Sequence, residues 1–295
     1  MTSEELYTGF FGLSERPFTL VPDPEFLYWS DQHKRAFSIL EFGIMSRAPI
    51  TLITGEIGSG KTTLLQQLIK QIGDDVTIGL ISNAQGGRGD LLQWVLNALS
   101  VNVTAAGDYV GLFQQLQEFL IQEYAQGRRV VLIIDEAQNL SSEGLEELRM
   151  LTNINSNKDE LIQLILVGQP ELKDIILQPN MRQLTQRVAA SFHLVGMDEK
   201  TVTSYIAHRL RVAGGSGEEF TLHARKAVYA VTHGVPRLVN QICEFALLYA
   251  WGNEAHTVTK EIINNIVADG VFFGGMSLPN EDRDIKFRTL RQVEG

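Results

Sequence analysis

The run Gly55-Glu56-Ile57-Gly58-Ser59-Gly60-Lys61-Thr62 fits the pattern G-x-x-x-x-G-K-[ST], and no other feature of the chain restricts its folding as much. Such a loop works where a strand feeds a helix, because phosphates need a nest of backbone N–H groups at a helix N-terminus. The flanks supply that context: Pro49-Ile50-Thr51-Leu52-Ile53-Thr54 reads as a buried strand, and Thr63-Leu64-Leu65-Gln66-Gln67-Leu68-Ile69-Lys70 as a helix. The glycines let the loop wrap phosphates, Lys61 reaches the β and γ oxygens, and the Thr62 hydroxyl ligates Mg²⁺. A Gly-rich turn with only a structural role is the bland alternative, and the strand and helix around the loop argue against it.

Reading outward, short β-rich runs alternate with amphipathic stretches. The runs are 49–54, 76–82, 129–135, 162–168 and 190–195; helices are expected at 34–46, 60–72, 89–100, 109–126 and 142–154. Alternation of this kind predicts a parallel sheet covered by helices on both faces, a three-layer αβα domain spanning 35–196. Beyond 197 only helical periods remain, at 198–213, 221–232, 236–251 and 259–268, predicting a small all-helical subdomain over 197–268. Gly214-Gly215-Ser216-Gly217 lacks both the preceding strand and the Gly-Lys-Thr ending, so it reads as a helix-stopping turn. Residues 1–34 carry Phe10, Phe11, Phe18, Phe26, Tyr28 and Trp29, and are expected to pack on the core as an ordered extended segment. Residues 269–295 read as a tail.

Composition narrows the function classes. A net charge of −10 disfavours broad affinity for DNA or anionic lipid, although it leaves room for a local basic stripe. Arg283, Lys286, Arg288 and Arg291 are interleaved with acids and read as a solvated face. The one cysteine, Cys243, rules out an internal disulfide and reads as a small core residue. No apolar stretch approaches the ~20 residues that span a bilayer, and no signal-peptide pattern opens the chain, which places it in the cytoplasm, where ATP is.

Hydrolysis of a triphosphate calls for two carboxylates beyond the loop. Val130-Val131-Leu132-Ile133-Ile134-Asp135-Glu136 supplies both at the C-terminal end of an apolar strand, with Asp135 on the metal side and Glu136 as general base or water-orienting group. The strand at 76–82, lying in sequence between the two motifs, agrees with the P-loop subgroup that has a catalytic glutamate after the aspartate and a strand inserted between the motif strands. No guanine-specifying N-K-x-D occurs, so GTPase switches recede. Gln169 ends the strand 162–168 and can hold a water with Glu136, or can simply begin the turn at Pro170. Arg182 and Arg187 precede the last strand, and either can be an arginine finger acting on a neighbour's γ-phosphate, with Arg187 favoured. Gly234-Val235-Pro236-Arg237 opens a helix of the helical subdomain, with Pro236 suited to the first turn and Arg237 facing back over the nucleotide.

Taken together these residues resemble an AAA+ ATPase, and more closely the secretion-ATPase group that includes general secretion pathway protein A (ExeA-like) and the MSHA pilus biogenesis ATPase MshM. The resemblance is carried by Phe10-Phe11-Gly12-Leu13, Pro17-Phe18, Pro22-Asp23-Pro24-Glu25-Phe26-Leu27-Tyr28, the loop Gly55 to Thr63, and Ile134-Asp135-Glu136-Ala137-Gln138. Leu151-Thr152-Asn153, Leu166-Val167-Gly168-Gln169-Pro170, Leu184-Thr185-Gln186-Arg187 and Gly234 to Arg237 extend it to about residue 268. It implies an ATP- and Mg²⁺-dependent homo-oligomer, such as a ring, with its finger acting in trans in the assembly of an envelope machine. Members of that group continue into a transmembrane helix and a periplasmic domain that this sequence lacks, so a membrane link is expected through a protein partner. The same architecture is shared with the transposition regulators TniB and TnsC, which form ATP-dependent oligomers on DNA. That is the alternative reading.

Overall fold

A computed structural model of the chain describes residues 7–82, 90–102, 108–156 and 159–272. The Lys/Arg-containing tail, read above as a solvated face, lies outside the described residues. Within them the strands are β1 (Ile50–Gly55), β2 (Val76–Ser82), β3 (Arg129–Asp135), β4 (Asn155–Ser156), β5 (Asp159–Glu160), β6 (Ile162–Gly168) and β7 (Val188–Leu194). The helices are α1 (Thr8–Phe11), α2 (Asp31–Met45), α3 (Lys61–Gln71), α4 (Asp90–Ala98), α5 (Tyr109–Ala125), α6 (Ser142–Leu151), α7 (Pro170–Ile176), α8 (Arg182–Arg187), α9 (Glu199–Val212), α10 (Leu222–Thr232), α11 (Pro236–Gly252) and α12 (Lys260–Ala268). The chain divides into two compact units, one comprising residues 21–197 with 235–237, the other residues up to 20 with 198–234 and those from 238 onward.

The first unit is built on a parallel five-stranded sheet in the order β2-β3-β6-β1-β7. Successive side chains of a strand point to opposite faces, and here both faces are covered, so the strands read as unbroken apolar runs. On β3, Val130, Leu132 and Ile134 face a core with α4, α5 and α6, whereas Val131 and Ile133 face α2 and α3. The strand lying between β1 and β3 in space is β6. A strand thus does lie between the two motif strands, as the subgroup requires, but the one that separates them in sequence, β2, is an edge. Right-handed crossovers permit either position, so the order of strands in sequence does not fix their order in the sheet.

The second unit is helical, built from α9–α12. It includes the first part of the aromatic N-terminus, up to residue 20, of which the sequence said only that 1–34 pack on the core. Phe18 is fully buried and meets Phe220 edge-on, with centroids 5.9 Å apart. Tyr7 Oη and Arg16 Nε each donate to the Glu244 carboxylate at 2.7 Å, and Asn240 Nδ2 donates to the Thr19 carbonyl at 3.1 Å. From residue 21 onward the segment belongs to the sheet unit, where Phe26 is buried and Trp29 packs edge-on against Phe37 of α2. The division follows the separate apolar seats that each group of rings finds. Cys243 is buried on α11.

Candidate functional site

Three neighbouring strands deliver polar residues to one edge of the sheet. β1 runs into the loop at Gly55, β3 ends on Asp135, and β6 ends at Gly168 with Gln169 next; Thr54 lies beside Gly168 and Ile134 beside Leu166. The C-terminal edge of a parallel sheet is where α/β folds place ligands.

Between β1 and α3 the loop turns on glycines. Gly58 and Gly60 have φ of 77° and 99°, a left-handed region that costs a side-chain-bearing residue about 1–2 kcal/mol. Lys61 is buried, and its Nζ donates to the carbonyls of Gly55 at 2.7 Å and Glu56 at 3.0 Å. Burial pushes its pKa down, while the carboxylates of Glu136 and Asp135 pull it the other way. The Lys61 amine is thus held by the backbone carbonyls of the loop.

Thr62 Oγ1 donates to Asp135 Oδ2 at 3.0 Å, and the Glu136 backbone N–H donates to Asp135 Oδ1 at 2.9 Å. Burial raises the Asp135 pKa against those two hydrogen bonds. At Glu136 burial also pushes upward, but the side-chain amides of Gln138 and Gln169 and the charge of Lys61 carry the net shift below the usual range. The two adjacent carboxyls are thus driven apart, the arrangement that separates roles in acid–base sites. Glu136 adopts φ 55°, ψ 38°, and its Oε2 accepts from Gln138 Nε2 at 2.5 Å and from Gln169 Nε2 at 3.1 Å. Gln138 also accepts the Gln169 backbone N–H at 3.0 Å through its Oε1. The sequence reading assigned Gln138 no task; a long amide two residues past the glutamate, in a 3₁₀ turn spanning Ala137–Asn139, was the available signal.

The Thr62 hydroxyl and an Asp135 oxygen stand side by side, a hard-oxygen pair that suits Mg²⁺ bound through one carboxylate and substrate phosphates. Among the described residues no group of three or more His, Cys, Asp or Glu gathers as in an all-protein metal cage. The residues present fit the ion.

The arginines are placed differently from one another. The Arg237 backbone N–H donates to the Gly58 carbonyl at 3.2 Å, and a Cβ on Gly58 would lie 2.3 Å from the Arg237 Cβ, so residue 237 meets the loop. Arg187 is at the opposite edge of the sheet: Val188, which follows it, pairs with Ile50 at the start of β1. There Nη1 donates to Glu160 Oε1 at 3.0 Å, and Nη2 to Asn153 Oδ1. Arg182 is exposed on α8.

Residues 44–176 match the family model described as AAA domain, and a parallel five-stranded sheet flanked by helices and followed by a helical unit is the AAA P-loop NTPase fold. Those residues therefore carry an AAA domain of the P-loop type. The chain's relationship is ExeA-like: it is 37% identical over 253 residues to general secretion pathway protein A of Aeromonas hydrophila, covering 86% of this chain and 46% of the relative. The chain therefore spans about half the length of the curated relative it matches. Among solved structures it resembles the ORC2 protein of Aeropyrum pernix in ADPNP–ADP complexes, with TM-score 0.60, 16% identity, and coverage of 81% of this chain and 67% of that one. The RuvB Holliday junction branch migration motor of Thermotoga maritima matches with TM-score 0.56 and 18% identity over 94% of this chain and 82% of that one. Drosophila ORC bound to DNA matches with TM-score 0.64 and 15% identity over 87% of this chain and 64% of that one. At these identities the structural likeness concerns the fold alone.

Proposed function

We propose that the chain binds ATP with Mg²⁺ and hydrolyses it as a homo-oligomer whose sites are completed by Arg187 of a neighbouring copy, serving assembly of a secretion or pilus system. One observation carries the catalytic part: Lys61, Thr62, Asp135, Glu136 and Gln169 converge from three adjacent strands, with the two carboxyls shifted in opposite directions. The backbone of Gly55 to Thr63 and Lys61 hold the triphosphate. Mg²⁺, held by Thr62 and Asp135, neutralises phosphate charge when bound. Glu136 keeps Oε1 for the attacking water, since Gln138 and Gln169 both occupy Oε2. Arg237 is assigned the sensing of phosphate loss, a role supported by the anchoring of its backbone N–H on the Gly58 carbonyl. The relative's name supports a secretion role. Among the described residues no helix is long and apolar enough to cross a membrane.

The deciding experiment compares ATP turnover of wild type and Glu136→Gln, each with and without DNA. Glu136→Gln should bind ATP as wild type does and hydrolyse it about 10²- to 10⁴-fold more slowly. Wild-type turnover in Glu136→Gln would show the base assignment to be wrong. Turnover that depends on DNA would move the client from an envelope machine to a TniB/TnsC-like DNA complex.

A further inference from the structure

His33 lies near the start of α2, 26 residues before Ser59 in sequence, yet its buried ring rests on the phosphate loop. Its Nε2 is 3.1 Å from the carbonyl oxygen of Ser59, and its Nδ1 is 2.6 Å from Ser30 Oγ. Ser30 is the N-cap of α2 and its Oγ accepts the His33 backbone N–H at 3.3 Å. These contacts fix the tautomer. A carbonyl only accepts, so Nε2 carries the proton; Nδ1 then accepts the Ser30 hydroxyl. Burial lowers the imidazole pKa against the Ser59 hydrogen bond, which keeps the ring neutral.

The consequence for the loop comes from peptide geometry. A trans peptide is planar and carries its C=O and N–H on opposite edges. Holding the Ser59 carbonyl toward His33 therefore turns the Gly60 N–H away from the ring, and among the described residues no backbone carbonyl accepts it. The approach also depends on what Gly60 lacks: a Cβ there would lie 2.8 Å from His33 Nε2. Position 60 is thus glycine both for its φ and because the imidazole fills the space a side chain would take. Nothing in the phosphate-loop pattern asks for a histidine, and no role for residue 33 follows from the nucleotide motifs.

We propose that His33 is a positioning residue of the phosphate loop: its Nε2–H holds the Ser59 carbonyl and so aims the Gly60 N–H at the phosphates of a nucleoside di- or triphosphate. This rests on the reading of residues 55–62 as the phosphate cradle. In that role the Ser30 hydroxyl, the ring and the Ser59–Gly60 peptide form one relay, so that the first turn of α2 sets the orientation of a donor it never touches.

Titration with fluorescent mant-ADP, which needs no hydrolysis, tests the relay on the full chain. His33→Leu fills the space without a donor and should weaken mant-ADP about ten-fold, the worth of one hydrogen bond. His33→Gln, whose amide nitrogen reaches about as far as Nε2, should stay within about three-fold of wild type, and His33→Asn, too short, should behave like His33→Leu. If His33→Leu fails to fold, the comparison of Gln with Asn decides, since the two differ in reach and not in polarity. Wild-type affinity in His33→Leu, or equal losses in Gln and Asn, would overturn the proposal. Lys61→Ala in the same titration separates the two levels: if it too binds mant-ADP like wild type, the cradle reading itself fails, whereas a loss there with none in His33→Leu removes only the role of His33.

Discussion

If Arg187 completes a neighbour's site, two inactive variants should restore activity when mixed. Arg187 cannot serve its own loop. It precedes Val188, which pairs with Ile50, whereas Gly55 pairs with Leu194, so the guanidinium's backbone anchor is roughly 23 Å from the loop at about 3.3 Å per residue. That is several times the reach of an arginine side chain. Within its own chain Arg187 makes a part-exposed pair with Glu160, worth about 1 kcal/mol or less. Arg187→Ala should therefore stay folded, while losing a finger costs ~10³- to 10⁵-fold in rate. Lys61→Ala loses the site but keeps the finger. In a random 1:1 mixture one interface in four joins an intact loop from the Arg187→Ala subunit to an intact finger from the Lys61→Ala subunit. Phosphate release at constant total protein and saturating ATP should then rise to about a quarter of the wild-type rate if interfaces act independently. Mixtures no faster than their components at any ratio would refute action in trans. Arg187→Ala at the wild-type rate would refute the finger itself and turn attention to Arg182.

Three further outcomes follow from particular contacts. Gln138→Ala removes one of two amide donors from Glu136 and should lower kcat about ten-fold with KM little changed; a raised KM at unchanged kcat, in steady-state kinetics, would contradict the clamp. Asp135 has a folded pKa above its unfolded one, so its stability contribution is present at low pH and lost as pH rises through the folded value. Asp135→Asn, which cannot ionise, should thus melt higher at pH 7 without nucleotide, by about 1 kcal/mol or some 2–4 °C, with the gain shrinking as pH falls toward the ordinary carboxylate range; a lower melting temperature at pH 7 would count against it. Phe18→Ala should cost about 3–5 kcal/mol in urea denaturation, since the ring is fully buried against Phe220, and a cost below about 1 kcal/mol would place that segment outside the helical core.

What could be read from the residues alone depended on range. The strands and helices of the sheet unit were legible because their patterns are local, and Val130 to Asp135 declares a strand buried on both faces by having no polar alternation. That Lys61, Thr62, Asp135 and Glu136 come together was legible because each motif fixes residue types at fixed spacing. Relations across the chain were not. That β6 separates β1 from β3 depends on crossovers, and aromatic content said that residues 1–34 pack on the core without saying on which unit's. Gln138 reaches Glu136 through a 3₁₀ turn that no periodicity announces, and Arg187 finds Glu160 only because the β4–β5 pair brings that residue alongside.

The left-handed backbone at Glu136 makes this position a costly one for a glutamate. A glycine or asparagine would occupy φ 55°, ψ 38° with less strain, by about 1 kcal/mol. Backbone strain alone would therefore favour another residue, an effect opposed by the hydrogen bonds that the carboxylate accepts from Gln138 and Gln169, and under the proposed role its chemistry is the further benefit of glutamate there. In a lineage whose copy had stopped turning over nucleotide, residue 136 should be among the first to drift, and toward Gly or Asn, while Gly58 and Gly60, whose backbone demands persist in a merely structural loop, stay as they are.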